Sequence, residues 1–126
     1  MYDFVQRKTH INWRFCFDPF PRGFVFRDAF SYLWPRGRVF LNPPFELWPR
    51  VWEHLKTLLD SGHVTEALCV ISQTRYLGHG DKGKRAPCAK EMMQRRREHY
   101  RSEHQFITHE GKRHPKGELN IWLVHV

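Results

Sequence analysis

The chain has 126 residues, with 21 Lys and Arg set against 13 Asp and Glu for a formal net charge of +8 at pH 7, a balance that favours a polyanionic partner, nucleic acid first. Its 40% hydrophobic and 15% aromatic residues exclude a disordered, solvating chain. No apolar run approaches the roughly 20 residues of a membrane helix, and Met1-Tyr2-Asp3-Phe4 does not open a secretion signal, so a soluble intracellular protein, in the cytoplasm or with the nucleoid and without a membrane partner, is expected.

In chain order, residues 12–18 alternate apolar and mixed side chains, which predicts a strand ending at Asp18. Pro19, Pro21 and Gly23 make the next stretch a loop. Residues 24–33 are apolar around Asp28, and Trp34-Pro35-Arg36-Gly37 reads as a turn. Arg38 to Leu41 is a short strand. Pro49 then suits the first helical position, and Val51, Trp52, Leu55, Leu58 and Leu59 recur on one helical face until Ser61-Gly62 ends it. Ala67 to Ser72 is an almost unbroken apolar run, as in a central strand covered on both faces. Strand, helix and strand at this spacing make a βαβ unit with a parallel pair and a right-handed crossover.

Gly78 to Lys84 is polar and glycine-rich. Residues 88–101 fit a second helix, basic through Lys90, Arg95, Arg96, Arg97 and Arg101, with Met92, Met93 and Tyr100 as its apolar stripe. Residues 105–108 and 119–124 read as two strands of a hairpin, joined by a charged connection holding Gly111, Pro115 and Gly117. The expected fold is one α/β domain over 1–126, a Rossmann-like mixed sheet with a parallel centre and a C-terminal antiparallel hairpin. Ligands of open α/β sheets sit beyond the carboxyl ends of the strands. Asp18, Asn42 and Ser72 all fall at such predicted ends.

The chemistry concentrates in Asn42-Pro43-Pro44-Phe45, which follows the apolar Val39-Phe40-Leu41. Two consecutive prolines fix their own φ angles, push their predecessors toward extended backbone and remove two N–H donors. The turn then offers acceptors only. The Asn42 amide oxygen and the Pro43 carbonyl can take both hydrogens of one exocyclic NH2, which localises the nitrogen lone pair for attack on an electrophile. Phe45 adds a flat face for the ring that carries the amine. Read plainly, the same residues are a proline-stiffened loop after a buried strand.

These residues, with Phe17-Asp18-Pro19, Asp28-Ala29-Phe30, Trp34 and Trp48, the helix ending at Ser61-Gly62, the strand to Ser72 and the closing hairpin, give a pattern that resembles the small DNA N6-adenine methyltransferases of phages and prophages, the phage Dam-type family. It is also similar to the methyltransferase-like domains of some retroelements. The resemblance runs from about Asn12 onward, and the Asn-Pro-Pro-Phe turn is its most specific part. It implies transfer of a methyl group from S-adenosylmethionine to the N6 amine of adenine in DNA. Asn42, Pro43, Pro44 and Phe45 would hold and activate the base, and Asp18 and Asp28 would contact the cofactor. Trp48, just past Phe45, would line the base pocket.

Phosphate contacts are expected from the basic block that includes Arg85, Lys90, Arg95 and Arg96, with DNA as the partner and RNA as the other candidate. A solvated helix face explains the same charges equally well. The loop after Asp18 lacks most of the glycines that let backbone approach a cofactor closely, and Arg22 and Phe24 stand in it. A nucleic-acid-binding protein that keeps the fold without the reaction, as a subunit of a larger nucleoprotein, is therefore the alternative. Methylation of another amine, cytosine N4 or a protein glutamine, is a third reading. Cys16, Cys69 and Cys88 are odd in number and scattered, which predicts reduced thiols. The nine histidines form no His-x-x-x-His pair, and no metal is assigned.

Overall fold

A computed structural model describes residues 2–20, 29–72, 87–105 and 120–126. Four strands, β1 (Gly37–Leu41), β2 (Val64–Ser72), β3 (Glu98–Gln105) and β4 (Asn120–His125), form one mixed sheet in the order β1-β2-β4-β3. β1 and β2 run parallel, with Leu41 opposite Cys69. β2 with β4, and β4 with β3, are antiparallel. The helix between the parallel strands, α2 (Trp48–Asp60), completes the βαβ unit expected from the spacing.

The sheet departs from expectation in one respect. The parallel pair lies to one side, and the pair in the middle, β2 with β4, is antiparallel. The hairpin inserts its second strand, not its first, beside β2. Composition explains the choice: β4 carries Ile121, Leu123 and Val124, all buried, whereas β3 reads Glu-His-Tyr-Arg-Ser-Glu-His-Gln and takes the edge, where charged residues deter pairing with other chains.

Side chains alternate between the two faces of the sheet. Val39, Leu41, Ala67, Cys69, Ile71 and Val124 point to one face, where they pack with Trp48, Val51, Trp52 and Leu55 of α2 and with Ala89, Met92 and Met93 of α3 (Pro87–Arg95). Phe40, Leu68, Val70, Ile121 and Leu123 point to the other and meet Val5 and Trp13. Val5 belongs to α1 (Tyr2–Thr9), a helix that the apolar periodicity leaves invisible because only Phe4 and Val5 mark it. Its charges were the available signal: Asp3 in the first turn, Arg7 and Lys8 in the last. The Thr9 hydroxyl donates to the Val5 carbonyl at 2.6 Å and accepts the Trp13 indole N–H at 2.9 Å, fastening the chain after α1.

Two expected elements change. The strand over 12–18 is instead a single 3₁₀ turn, Trp13–Phe15, closed by the Cys16 N–H on the Trp13 carbonyl at 3.0 Å. Only Phe17 pairs, in a parallel bridge with Val39 that the Phe40 N–H makes to the Phe17 carbonyl at 2.9 Å. Burial of the Trp13 ring under the sheet holds the turn against the alternating pattern. The basic helix ends at Arg95 rather than Arg101, because the Arg97 N–H donates to the His125 carbonyl and the chain from Glu98 pairs with β4. Gln105, expected to open a strand, closes β3 instead. No helix among the described residues is long and apolar enough to cross a membrane.

Candidate functional site

β1 leads directly into Asn42. Its pairing with β2 stops at Leu41 opposite Cys69, since Pro43 and Pro44 have no N–H to continue a ladder. The next carbonyl along β2, that of Val70, accepts the Trp48 indole N–H at 3.0 Å. The prolines thus end the strand, and a tryptophan from the start of α2 satisfies the acceptor left past the last pair. Pro44 is extended (φ −51°, ψ 135°), and its carbonyl accepts the Leu47 N–H at 3.0 Å to close the 3₁₀ turn Phe45–Leu47. That turn feeds α2. The corner is therefore held at both ends by elements of the core.

Within the corner Pro43 is buried and Asn42 is half-buried. The Asn42 amide makes no hydrogen bond to another described residue. A half-buried amide without a partner among the described residues leaves its donors and acceptor for a ligand or water. Phe45 is half-buried and packs against the core under the sheet, so one part of its surface is structural. Trp48 is fully buried. With its indole N–H committed to Val70, it has no face left for a base, and the expectation that it lines a base pocket is not met.

Asp18 follows Phe17, the residue bridged to Val39, and so lies beside the carboxyl-terminal half of β1. Its Oδ1 accepts the Phe20 N–H at 2.9 Å, an Asx-turn that aims the carboxylate. Oδ2 bonds to no described residue. Burial raises the Asp18 pKa, partly opposed by the Phe20 hydrogen bond: a carboxylate short of solvation is poised to gain from a cationic or hydroxyl-bearing partner. Ser72 closes β2 and is wholly buried. Asn42 and Ser72 therefore stand at the carboxyl ends of the parallel strands β1 and β2, whereas Asp18, expected to end a strand, follows a single bridge at Phe17 opposite the middle of β1. Asp28 lies outside the described residues, as does Arg85.

The basic helix is less available than its sequence suggests. Arg95 donates to both Asp60 oxygens, at 2.7 and 3.5 Å, tying the end of α3 to the end of α2. Arg96 donates to the Met93 carbonyl at 2.6 Å. Lys90 is exposed and has no partner among the described residues, and Arg96, also exposed, bonds only a neutral carbonyl, so both keep their charge.

Sequence reasoning missed an ion cluster at the opposite end of the sheet. Arg38 pairs in register with Glu66, and its Nε donates to Glu66 Oε2 at 2.6 Å. Arg97 Nε stands 3.9 Å and His125 Nε2 3.3 Å from Glu66 Oε1. The Arg38 guanidinium holds the Glu66 carboxyl below the usual glutamate range. These residues are distant in sequence and visible as a group only once strand register is known. Among the described residues no group of three or more His, Cys, Asp or Glu is arranged to hold a metal ion. In comparisons with known proteins, no family model, no curated protein and no solved structure matches the chain.

Proposed function

We propose that this protein transfers a methyl group from S-adenosylmethionine to the N6 amine of adenine in DNA, on a Rossmann-like sheet of which β1, β2 and the closing hairpin form part. The observation that supports the reading is the placement of Asn42 and Ser72 at the carboxyl ends of the parallel strands β1 and β2, with Asp18 beside β1 after the Phe17 bridge and an Asn-Pro-Pro-Phe corner whose amide has no partner among the described residues. When bound, S-adenosylmethionine supplies an electrophilic methyl group; Asp18, whose Oδ2 has no partner among the described residues, would hold its ammonium or ribose end.

The protein's own part is positioning. The Asn42 amide oxygen and the Pro43 carbonyl accept the two amine hydrogens of adenine, which pulls the nitrogen lone pair out of conjugation. The exposed part of Phe45 supports the ring. The corner is rigid before substrate arrives, because prolines fix its backbone and Leu47 and Trp48 anchor its exit, so little reorganisation accompanies the reaction. An adenine inside a duplex must first be extruded, at a cost of a few kcal/mol.

Asn42→Ala tests the role. Transfer of labelled methyl to DNA is expected to fall by roughly 100-fold or more, the loss typical of one preorganised polar contact to a reacting group, with an unchanged unfolding midpoint. Methylation at the wild-type rate would overturn it. A second reading is a methyltransferase-fold protein that binds nucleic acid without the reaction. It is favoured by the cavity at the amino ends of the strands, which lies away from the corner. Calorimetry with S-adenosylmethionine separates the two: absence of binding heat at millimolar cofactor selects the second.

A further inference from the structure

The chain reaches β1 at one point only. After the 3₁₀ turn, Phe15 and Cys16 stand away from the strand, and pairing occurs at Phe17 alone. β1 itself begins irregularly: its register on β2 shifts between Gly37 and Arg38, and Gly37 has φ +116°. The two irregularities leave a notch of about 560 Å³ between the segments, lined by Phe15, Phe17, Pro35, Arg36, Arg38 and Thr65 among others. It lies at the amino ends of β1 and β2. The Asn42 corner is at the other end of β1, roughly 16 Å away for five residues of strand.

Three features of this notch call for a ligand. Phe15 is 84% exposed, the most exposed large apolar side chain among the described residues, and Tyr32 (38%) is also open. Tyr32 meets Phe17, which lines the notch, edge to face at 6.3 Å. Arg36 is exposed and has no ion pair among the described residues. Nearby, Arg38 and Arg97 share the one carboxylate of Glu66, and Arg97 Nη2 reaches the carbonyl of Thr65, a lining residue, at 3.4 Å. Among the described residues, three guanidinium groups against one carboxylate leave a local surplus of positive charge. An exposed aromatic ring beside surplus guanidinium charge is the arrangement that binds single-stranded nucleic acid: bases stack on the ring and guanidinium groups take the phosphates. A duplex keeps its bases stacked on each other and cannot offer one to Phe15.

We infer that the notch between the Phe15–Phe17 segment and the start of β1 binds single-stranded nucleic acid, with a base stacked on Phe15 and a backbone phosphate held by Arg36. The inference does not rest on methyl transfer, which uses the opposite end of the sheet; either can fail alone. The same chemistry serves DNA and RNA strands, and the test includes both.

Fluorescence anisotropy with labelled oligothymidine and oligouridine, against a duplex of equal length and polyglutamate, measures it on the full chain. One single strand or the other is expected to bind more tightly than duplex, and the tighter of the two identifies the natural ligand. Phe15→Ala should weaken binding about 10-fold or more, and Phe15→Trp should restore it. Arg36→Ala should make the plot of log affinity against log salt less steep by about 0.7. Both side chains are exposed, so neither substitution removes core packing. Cys16, which lines the notch, should be alkylated more slowly when the oligonucleotide is present. Binding unchanged in Phe15→Ala, duplex bound as tightly as single strand, polyglutamate competing as well as oligonucleotide, or unprotected Cys16 would each overturn the inference.

Discussion

Trp48 shows how one side chain can be decisive in a way its motif does not announce. Standing next to Phe45, it suggests a stacking platform, yet its ring is buried and its N–H satisfies the Val70 carbonyl at 3.0 Å. That bond lets the strand stop at two prolines without leaving a buried acceptor orphaned. Trp48→Phe keeps most of the apolar volume and removes the donor, so destabilisation of about 1–3 kcal/mol is expected from the unpaired carbonyl. Urea denaturation measures it, and an unchanged midpoint would mean that water replaces the indole. Asn42 is the opposite case. Its amide does nothing for the described fold, which is why its replacement is expected to remove activity and spare stability.

At the scale of elements, α2 is the best specified. Its proline at the start, four of its five periodic apolar positions (Val51, Trp52, Leu55 and Leu58, with Leu59 only half-buried) and its Ser61-Gly62 stop appear in the sequence and act in the fold. Gly62 has φ +76°, and its N–H donates to the Leu59 carbonyl at 3.1 Å. A Cβ there would meet no atom within 4 Å, so the cost of Gly62→Ala is purely conformational, about 1 kcal/mol. A fall in thermal midpoint with unchanged circular dichroism would be the signature, and no shift would show that the backbone relaxes out of the left-handed region. α3 was less legible. Its residues continue a helical pattern past Arg95, but the edge of β4 offers hydrogen bonds from Glu98 onward, and a sheet ladder satisfies more backbone groups than two further helical turns in water. The 3₁₀ turn at Trp13 follows the same logic, with burial of one large ring overriding local alternation.

At the scale of the whole molecule, the sheet is closed on both faces, and two histidines are caught in that closure. His54 lies against Phe30 and Trp34 with its Nε2 buried and without a partner among the described residues. His125 lies edge-on to Trp13. Burial pushes both imidazoles below their ordinary value; Arg50 adds to the effect at His54, and Glu66 opposes it at His125. A lowered folded pKa means that the unfolded chain binds more protons, so stability is complete above the ordinary imidazole value near 6.5 and is lost as pH falls below it through the folded values. Glu66, held low by Arg38, adds a further loss at more acidic pH, beginning at the ordinary glutamate value. The urea midpoint is therefore expected to drop between pH 7.5 and 5, and His125→Gln to reduce that drop. A midpoint independent of pH in this window would show that the two rings stay solvated.

What could be read directly from the chain was whatever depends on neighbours in sequence: the βαβ spacing, the caps of α2, the donor-free corner at Asn42 and Ser72 at the tip of β2. These rest on φ preferences, missing donors and periodic burial, which act over a few residues. Tertiary structure alone decided which hairpin strand joins β2, where the basic helix stops, that Arg95 serves Asp60 and Trp48 serves Val70, and that Phe15, Arg36 and Arg38 border one notch. Each of these depends on which distant segment supplies a hydrogen-bond partner or a covering surface, and only the folded chain fixes that.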